Sequence, residues 1–291
     1  MAFSSLRPLA LLFLLLGPAS GEEGAVGFVA LAGSSPPEWK PLFQGVEYRL
    51  SELEKPRRIR IHEVRIDTKA EGISFFTTPD NGDVPQEVDG RRTTTFLKEF
   101  DLEIAINGTG FKPIAKEGAP VDVLGLSVSD GRKVSALDAK SRNPVFLATA
   151  DQKVQIVRAP FPEEGFPQAH NALQGWYGAN GMLVDDGEVV TATVDIHPRT
   201  AVGVSKDGRH AYFVVADGRQ PGRSEGMTLI ELAEWMKASG CWDAANLDGG
   251  GSSTMVTKDE KGAAKILNSP SGGIQRSVGN HLGVHALPLA R

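Results

Sequence analysis

Residues 246–254 read NLDGGGSST: an aspartate, three consecutive glycines, two serines and a threonine. Each glycine costs about 0.5–1 kcal/mol relative to alanine inside a helix or strand, so three in a row belong to an exposed turn with unusual dihedrals. Successive backbone N–H groups in such a turn form an anion-binding concavity, and Ser252, Ser253 and Thr254 add hydroxyls at its end. Asp248 closes an apolar strand beside that turn. Buried carboxylates are costly unless paired or functional, so Asp248 reads as a catalytic group or a ligand-orienting acceptor, with a turn-capping role as the alternative. A tight glycine turn that holds no ligand is the matching alternative for the loop. No lysine follows the glycines, which excludes a Walker loop. A helix precedes this strand and the apolar MVT follows the turn, so a dinucleotide fingerprint fails, and no G-x-S-x-G elbow is present.

Other candidates cluster at similar positions. VVADGRQPGRSEG (214–226) is a second acidic turn after an apolar strand, and its Asp217, Arg219 and Arg223 reach the same sheet end as Asp248 if the two strands are neighbours. The arginines are otherwise simple loop charges. DIHPRTAVGV (195–204) puts His197 and Arg199 just before a strand, NSPSGGIQRSVGNHLGV (268–284) offers Asn268, Arg276 and Asn280, and AINGTGF (105–111) carries Asn107 and Gly108 at a strand end. The six histidines show no HExxH or HxH spacing, and His197 alone reads as a hydrogen-bonded loop residue rather than a zinc ligand. No EF-hand loop occurs; no cofactor is required, and an oxygen-ligated Ca²⁺ or Mg²⁺ is left open.

The elements that must position these groups are mostly strands. RRIRIHEVRID (57–67) alternates isoleucine and valine with polar residues, as a half-buried strand does, and GISFFTTP is a second strand closed by Pro79. Residues 81–92 are a polar loop. A short helix begins on the threonines at 93–95, and a strand then runs into Asn107. SVSDGRKVSAL, LVDDGEVVTA and VGVSKDGRHAYFVV each place Asp-Gly between apolar runs, the hairpin signal. The clearest helix covers 229–239. Thr228 with Glu231 makes a capping box, Gly240 stands at the C-terminal cap, and Leu229, Leu232, Ala233 and Met236 share one face. SSTMVT, AAKILN and RSVGNHLGVHAL complete the strands. These elements predict one α/β (α+β) domain with a mixed, largely antiparallel sheet, hairpins and few helices.

Residues 1–21 hold one basic residue, Arg7, then the apolar run Leu9–Leu16 and the small residues GPASG, which reads as a secretory signal peptide. That run falls short of the roughly 20 residues a spanning helix needs, so no stable membrane insertion is expected after cleavage. Residues 22–45 read as a tether or lead-in strand, and 46–291 as the folded domain. Hydrophobic residues make up 41% of the chain, enough for a sizeable core, and the formal charge of −5 argues against a nucleic-acid partner. The single cysteine, Cys241, excludes an intrachain disulfide and reads as a buried apolar residue. A lone cysteine in an exported chain points to a bacterial, periplasmic or secreted protein.

HPRTAVGVSKDG, VVADGR, MTLIELAEWMKASGCWDAANLDGGGSSTM and NSPSGGIQRSVGNHLGV follow in an order and at spacings that resemble the phosphodiester glycosidase family, strongly over 195–285 and more faintly back to about 57. AINGTGF departs from that pattern, with Thr109 in place of a second glycine. The resemblance implies hydrolysis of a sugar-1-phosphodiester at the anomeric C–O bond, giving free sugar and a phosphomonoester, on envelope or exopolysaccharide glycans. It implies Asp248 as nucleophile or base, with Asp217 second. It places the phosphate on Arg199, Arg219 or Arg276 with the amides of Gly249, Gly250 and Gly251 and the hydroxyls of Ser252 and Ser253, because arginine's planar fork suits phosphate oxygens. Asn107, Gly108 and Asn246 would orient the sugar. Two other readings stand beside it: a non-catalytic binding module for anionic envelope glycans, and a phosphodiesterase cutting the P–O bond, which would lean on a two-metal site.

Overall fold

Alternation decides where each strand's side chains go. In Arg199–Val204, Val202 and Val204 enter one apolar cluster while Ala201 enters another; in His210–Ala216, Phe213 and Val215 part in the same way from Tyr212, Val214 and Ala216. A strand points successive side chains to opposite faces, so the sheet holding these two strands is buried on both. The computed structural model describes residues 37–176 and 181–290. The expected leader and most of the 22–45 lead-in lie outside the described residues.

That sheet has eight strands, in the order Lys40–Phe43, Val46–Leu53, Ile59–Asp67, His210–Ala216, Arg199–Val204, Asp243–Asn246, Met182–Asp185, Glu188–Val189. The end of the expected tether thus forms an edge strand, paired with Val46–Leu53. Helix α1 spans Thr93–Glu99 and helix α2 spans Leu229–Ser239. Helix α2 covers one face of the sheet. Leu229, Leu232, Ala233, Trp235 and Met236 pack there on Ile61, Ala201, Val214 and Ala244, with Cys241 buried in the same cluster. The predicted capping box is present, with Thr228 accepting from the Glu231 amide and Gly240 left-handed at the C-cap.

The other face packs on two five-stranded sheets. One runs Ala264–Ile266, Met255–Lys258, Ile104–Asn107, His281–His285, Ser74–Thr77 and contributes Phe75, Ile106, Met255 and Leu282 to the shared core. The other is built around Val145–Ala148 and Asn171–Gln174 and contributes Phe146 and Leu173. A three-stranded sheet of Val88–Asp89, Pro120–Val123 and Phe111–Lys112 lies apart. Strand pairings among the described residues are antiparallel throughout, so the mixed sheet expected from the sequence is antiparallel in detail.

The Asp-Gly hairpins form as expected, with Asp130 and Gly131, and likewise Asp186 and Gly187, at positive φ between paired strands. Helix α1 begins differently from expectation. Its N-cap is Arg92, with no side-chain cap, and the Thr95 hydroxyl is spent on Glu117 instead.

Candidate active site

Register brings the candidate residues to one sheet end. Arg199 pairs with Ala216, and Ala201 with Asn246. The start of Arg199–Val204 therefore lies beside the ends of the two strands flanking it, from which the 217–226 and 247–254 loops depart. The strands carrying Asp217 and Asp248 are not neighbours; Arg199–Val204 runs between them. From the second sheet, Gly108 reaches the same place and accepts from the Asp248 amide at 3.0 Å.

A cleft of about 360 Å³ opens there, lined by Trp176, His197, the arginines 199, 219 and 276, Asn246 and the run from Leu247 to Gly251. Its floor is the glycine turn, and the turn's neighbours explain its composition. A Cβ on Gly249 would stand 2.7 Å from Pro198 O, one on Gly250 3.1 Å from Arg219 Nη1, and one on Gly251 2.3 Å from Arg276 Nη2. Gly250 also has φ +61, a conformation that L side chains rarely adopt. The glycines let two guanidiniums lie against the backbone.

Asp248 lines the same cleft as that pair. Ser252 lies between them: its hydroxyl accepts from Arg276 Nη1 at 3.3 Å and favours the charged form of the Asp248 carboxyl. Burial pushes the Asp248 carboxyl above its ordinary value, against the opposing pull of Ser252, the Arg276 charge and the Gly249 amide. Arg199 is anchored from below, with Nε on Met227 O at 2.9 Å and Nη2 on Asp195 O. Arg219 Nη2 meets His197 Nδ1 at 3.3 Å. Burial first, then the charges of Arg199 and Arg219, lower the His197 pKa, opposed by Asp195.

Of the glycine amides expected to meet the phosphate, that of Gly250 is spent on Pro198 O at 2.9 Å. Positive potential in the cleft comes from guanidiniums, with the loop backbone as their support.

Asp217 is 1% exposed and does not line the cleft. Its Oδ1 accepts from Asn268 Nδ2 at 3.1 Å and from the Ser269 amide at 2.8 Å, and its Oδ2 lies 3.4 Å from His62 Nε2. Of the two expected catalytic carboxylates, the cleft presents only Asp248. Asn107 is likewise off the cleft wall, fully buried. Its Nδ2 donates to Asp248 O at 2.6 Å, and its Oδ1 accepts from the Thr200 hydroxyl at 2.8 Å and the Thr254 amide at 3.1 Å. That amide carries the carboxylate loop rather than a sugar. Gly108 packs on Asn280, where a Cβ would meet Oδ1 at 2.1 Å. Ser253 is buried beneath the loop and offers its carbonyl to Asn268.

Asn246 does line the cleft. Its Nδ2 donates to Trp176 O at 2.8 Å and its carbonyl accepts the Trp176 amide at 2.9 Å, while its Oδ1 has no hydrogen-bond partner among the described residues. The departure at Thr109 falls outside the cleft lining. Its hydroxyl is bonded to Leu124 O, and Gly110 beside it packs against the Trp176 ring, where a Cβ would come within 2.6 Å.

Trp176 and Leu247 line the cleft without having been singled out in the sequence, and His197, expected there as a hydrogen-bonded loop residue, joins them. Trp176 stands in GWYGANG, whose glycines around two aromatics were a signal, and His197 stands two residues before Arg199. Among the described residues, no group of three or more His, Cys, Asp or Glu is placed to hold a metal ion, and no helix is long and apolar enough to cross a membrane.

The chain is 36% identical over 186 residues to the SPbeta prophage-derived uncharacterized protein YomE of Bacillus subtilis strain 168, a match that covers 60% of this chain and 26% of that protein. The chain thus spans about a quarter of that curated relative. Its fold is similar to the zebrafish N-acetylglucosamine-1-phosphodiester alpha-N-acetylglucosaminidase catalytic domain, auto-inhibited by its pro-peptide (TM-score 0.62, 20% identity, 87% of this chain and 86% of that one). A hypothetical protein from Synechocystis is also similar (TM-score 0.61, 16% identity, 87% and 64%). At these identities the two structures bear on the fold alone. The family model described as phosphodiester glycosidase matches residues 100–285, a span that holds every residue lining the cleft, and the chain belongs to the phosphodiester glycosidase family.

Proposed function

We propose that the protein hydrolyses a sugar-1-phosphodiester at the anomeric C–O bond. The observation that carries this reading is one cleft lined by the Asp248 carboxylate and by Arg219 and Arg276, whose guanidiniums lie against the glycine turn that follows Asp248. Arg219 and Arg276 take the phosphate oxygens, since guanidinium forks match them. Asp248 lies toward the sugar side, where oxocarbenium charge develops at the anomeric carbon. Burial makes its carboxylate less well solvated, and a poorly solvated carboxylate has more to gain from that charge. The Trp176 ring gives the sugar an apolar face. Water adds its oxygen to the anomeric carbon, the bridging oxygen leaves with phosphorus, and the water's proton passes to the medium. Phosphate is a good leaving group, so strong general-acid help is not required.

The leader expected over residues 1–21 supports action outside the cytoplasm, on phosphodiester-linked envelope or exopolysaccharide sugars. A divalent ion is not needed for it, because the guanidiniums supply the positive charge. Thr109, the residue that would favour a glycan-binding module without turnover, does not reach the cleft lining.

The test is hydrolysis of a panel of sugar-1-phosphodiesters in ¹⁸O water, with and without chelator, by the wild type and Asp248→Asn. Equal release of reducing sugar and phosphomonoester, with ¹⁸O in the sugar and loss of turnover in the variant, is the expected result. Label in the phosphate would assign P–O cleavage instead, and binding without turnover would assign a glycan-binding module.

A further inference from the structure

His197 has a feature that the hydrolysis scheme does not use. Its ring stands on the cleft wall, and Arg219 Nη2 lies 3.3 Å from its Nδ1. A guanidinium has five donors and no acceptor, so in this contact Nδ1 must be the acceptor. An imidazole that accepts through Nδ1 and is neutral carries its one proton on Nε2. The backbone beneath is held firmly: His197 N donates to Met227 O at 3.2 Å, and Met227 N returns a bond to His197 O at 3.0 Å. Gly226 makes this contact close, since a Cβ there would lie 2.6 Å from His197 O.

We propose that His197 is a substrate-contacting residue that donates an Nε2–H hydrogen bond to the phosphate, with its tautomer set by Arg219. This rests on the sugar-phosphodiester reading and adds to Arg219 and Arg276 a third phosphate-binding residue, one that transfers no proton. The charged groups around the ring act in the same sense. Arg199 follows it on its own segment, Arg219 comes from the loop after Ala216, and both disfavour imidazolium, against Asp195. Arg276 and Asp248 line the same cleft from the remaining loops. A neutral donor suits the place, because a further positive charge would stand directly beside two guanidiniums.

Two measurements on the full-length folded protein test it. Long-range ¹⁵N–¹H spectra of the histidine rings, assigned with His197→Gln, should show at pH 6 to 8 a pyridine-type Nδ1 and a protonated Nε2, and Arg219→Ala should scramble the tautomers. A protonated Nδ1, or imidazolium at pH 7, would overturn the proposal. Separately, inorganic phosphate is titrated as the probe. His197→Gln, whose amide nitrogen reaches the Nε2 position, should hold it within about threefold of wild type. His197→Asn and His197→Ala should each lose about ten- to a hundredfold, the worth of one hydrogen bond to a charged group. Equal loss in the Gln and Ala variants would refute the donor role, as would no loss in any. Neither readout requires turnover. A correct tautomer and phosphate ranking with no hydrolysis of any sugar phosphodiester would therefore sink the hydrolase reading and leave the donor assignment standing.

Discussion

Asp217 Oδ1 accepts a hydrogen bond from Asn268 Nδ2 at 3.1 Å, and the same amide nitrogen donates to Ser253 O at 3.1 Å. One buried contact thereby ties together the loop of Arg219, the segment leading to Arg276 and the glycine turn of Asp248. Gln220 Nε2 reinforces it with a 2.7 Å bond to Ser269 O. Asp217 is a positioning residue, and Asp217→Ala leaves buried donors unsatisfied, at about 1–3 kcal/mol each. Urea unfolding should show that loss. Asp217→Asn keeps an acceptor at Oδ1 and should retain most of kcat, with the change falling on KM. A kcat collapse in Asp217→Asn matching that of Asp248→Asn would return Asp217 to catalysis.

Asp248→Asn should lower kcat by about 10²- to 10³-fold, the usual worth of one group that stabilises charge developing in the transition state. It should also stabilise the fold at neutral pH. The folded chain holds this carboxyl's pKa above its unfolded value. Between the two values it binds more protons than the unfolded chain, so wild-type stability falls as pH rises through that window. Above the window the penalty is fully present, and the substitution removes it. Denaturation midpoints of both proteins, measured from pH 3 to pH 8, should converge at the acid end and separate in favour of the variant above it; a variant less stable at every pH contradicts the assignment.

Gly251→Ala tests the glycine turn. Its Cβ would stand 2.3 Å from Arg276 Nη2, the far end of a flexible side chain, so the guanidinium yields before the backbone does. Phosphate affinity should fall about tenfold or more, as for loss of a hydrogen bond to a charged group, with thermal stability nearly unchanged. Isothermal titration with phosphate and a thermal melt would show both; an unchanged Kd would mean Arg276 does not hold the anion.

Thr228→Ala should do the reverse. The Thr228 hydroxyl accepts from the Glu231 amide at 3.1 Å, and Glu231 returns a bond to the Thr228 amide at 2.8 Å. Losing the cap should cost about 1 kcal/mol, visible as a lower urea midpoint, while kcat/KM stays near wild type because the Met227 backbone bonds that hold His197 and Arg199 do not involve the Thr228 hydroxyl.

Much of this architecture was legible in local sequence. The capping box and apolar face of α2, and the Asp-Gly turns, depend on residues within a few positions of each other, so short-range spacing was sufficient. The glycine turn and Asp248 stood out for the same reason: three glycines in a row are too costly for a regular element. The motif order from HPRTAVG to NSPSGG was legible too, and it pointed to the phosphodiester glycosidase family.

What the sequence determined alone was therefore the kinds of element, the family and the strand-end loops from which a site would be built. Tertiary structure decided which side chains face the cleft. Asp217 and Asp248 look alike in sequence, each an aspartate ending an apolar strand, yet one is spent on Asn268 and Ser269 and the other opens onto the cleft. Asn107 turned inward to carry the Asp248 loop, and Trp176 and His197 turned toward it. Those outcomes hang on partners far apart in sequence, such as the Asn107 side chain meeting the Asp248 carbonyl 141 positions on. A buried polar group goes wherever its hydrogen bonds are satisfied, and its partners are chosen by the packing of whole sheets, which no local pattern encodes.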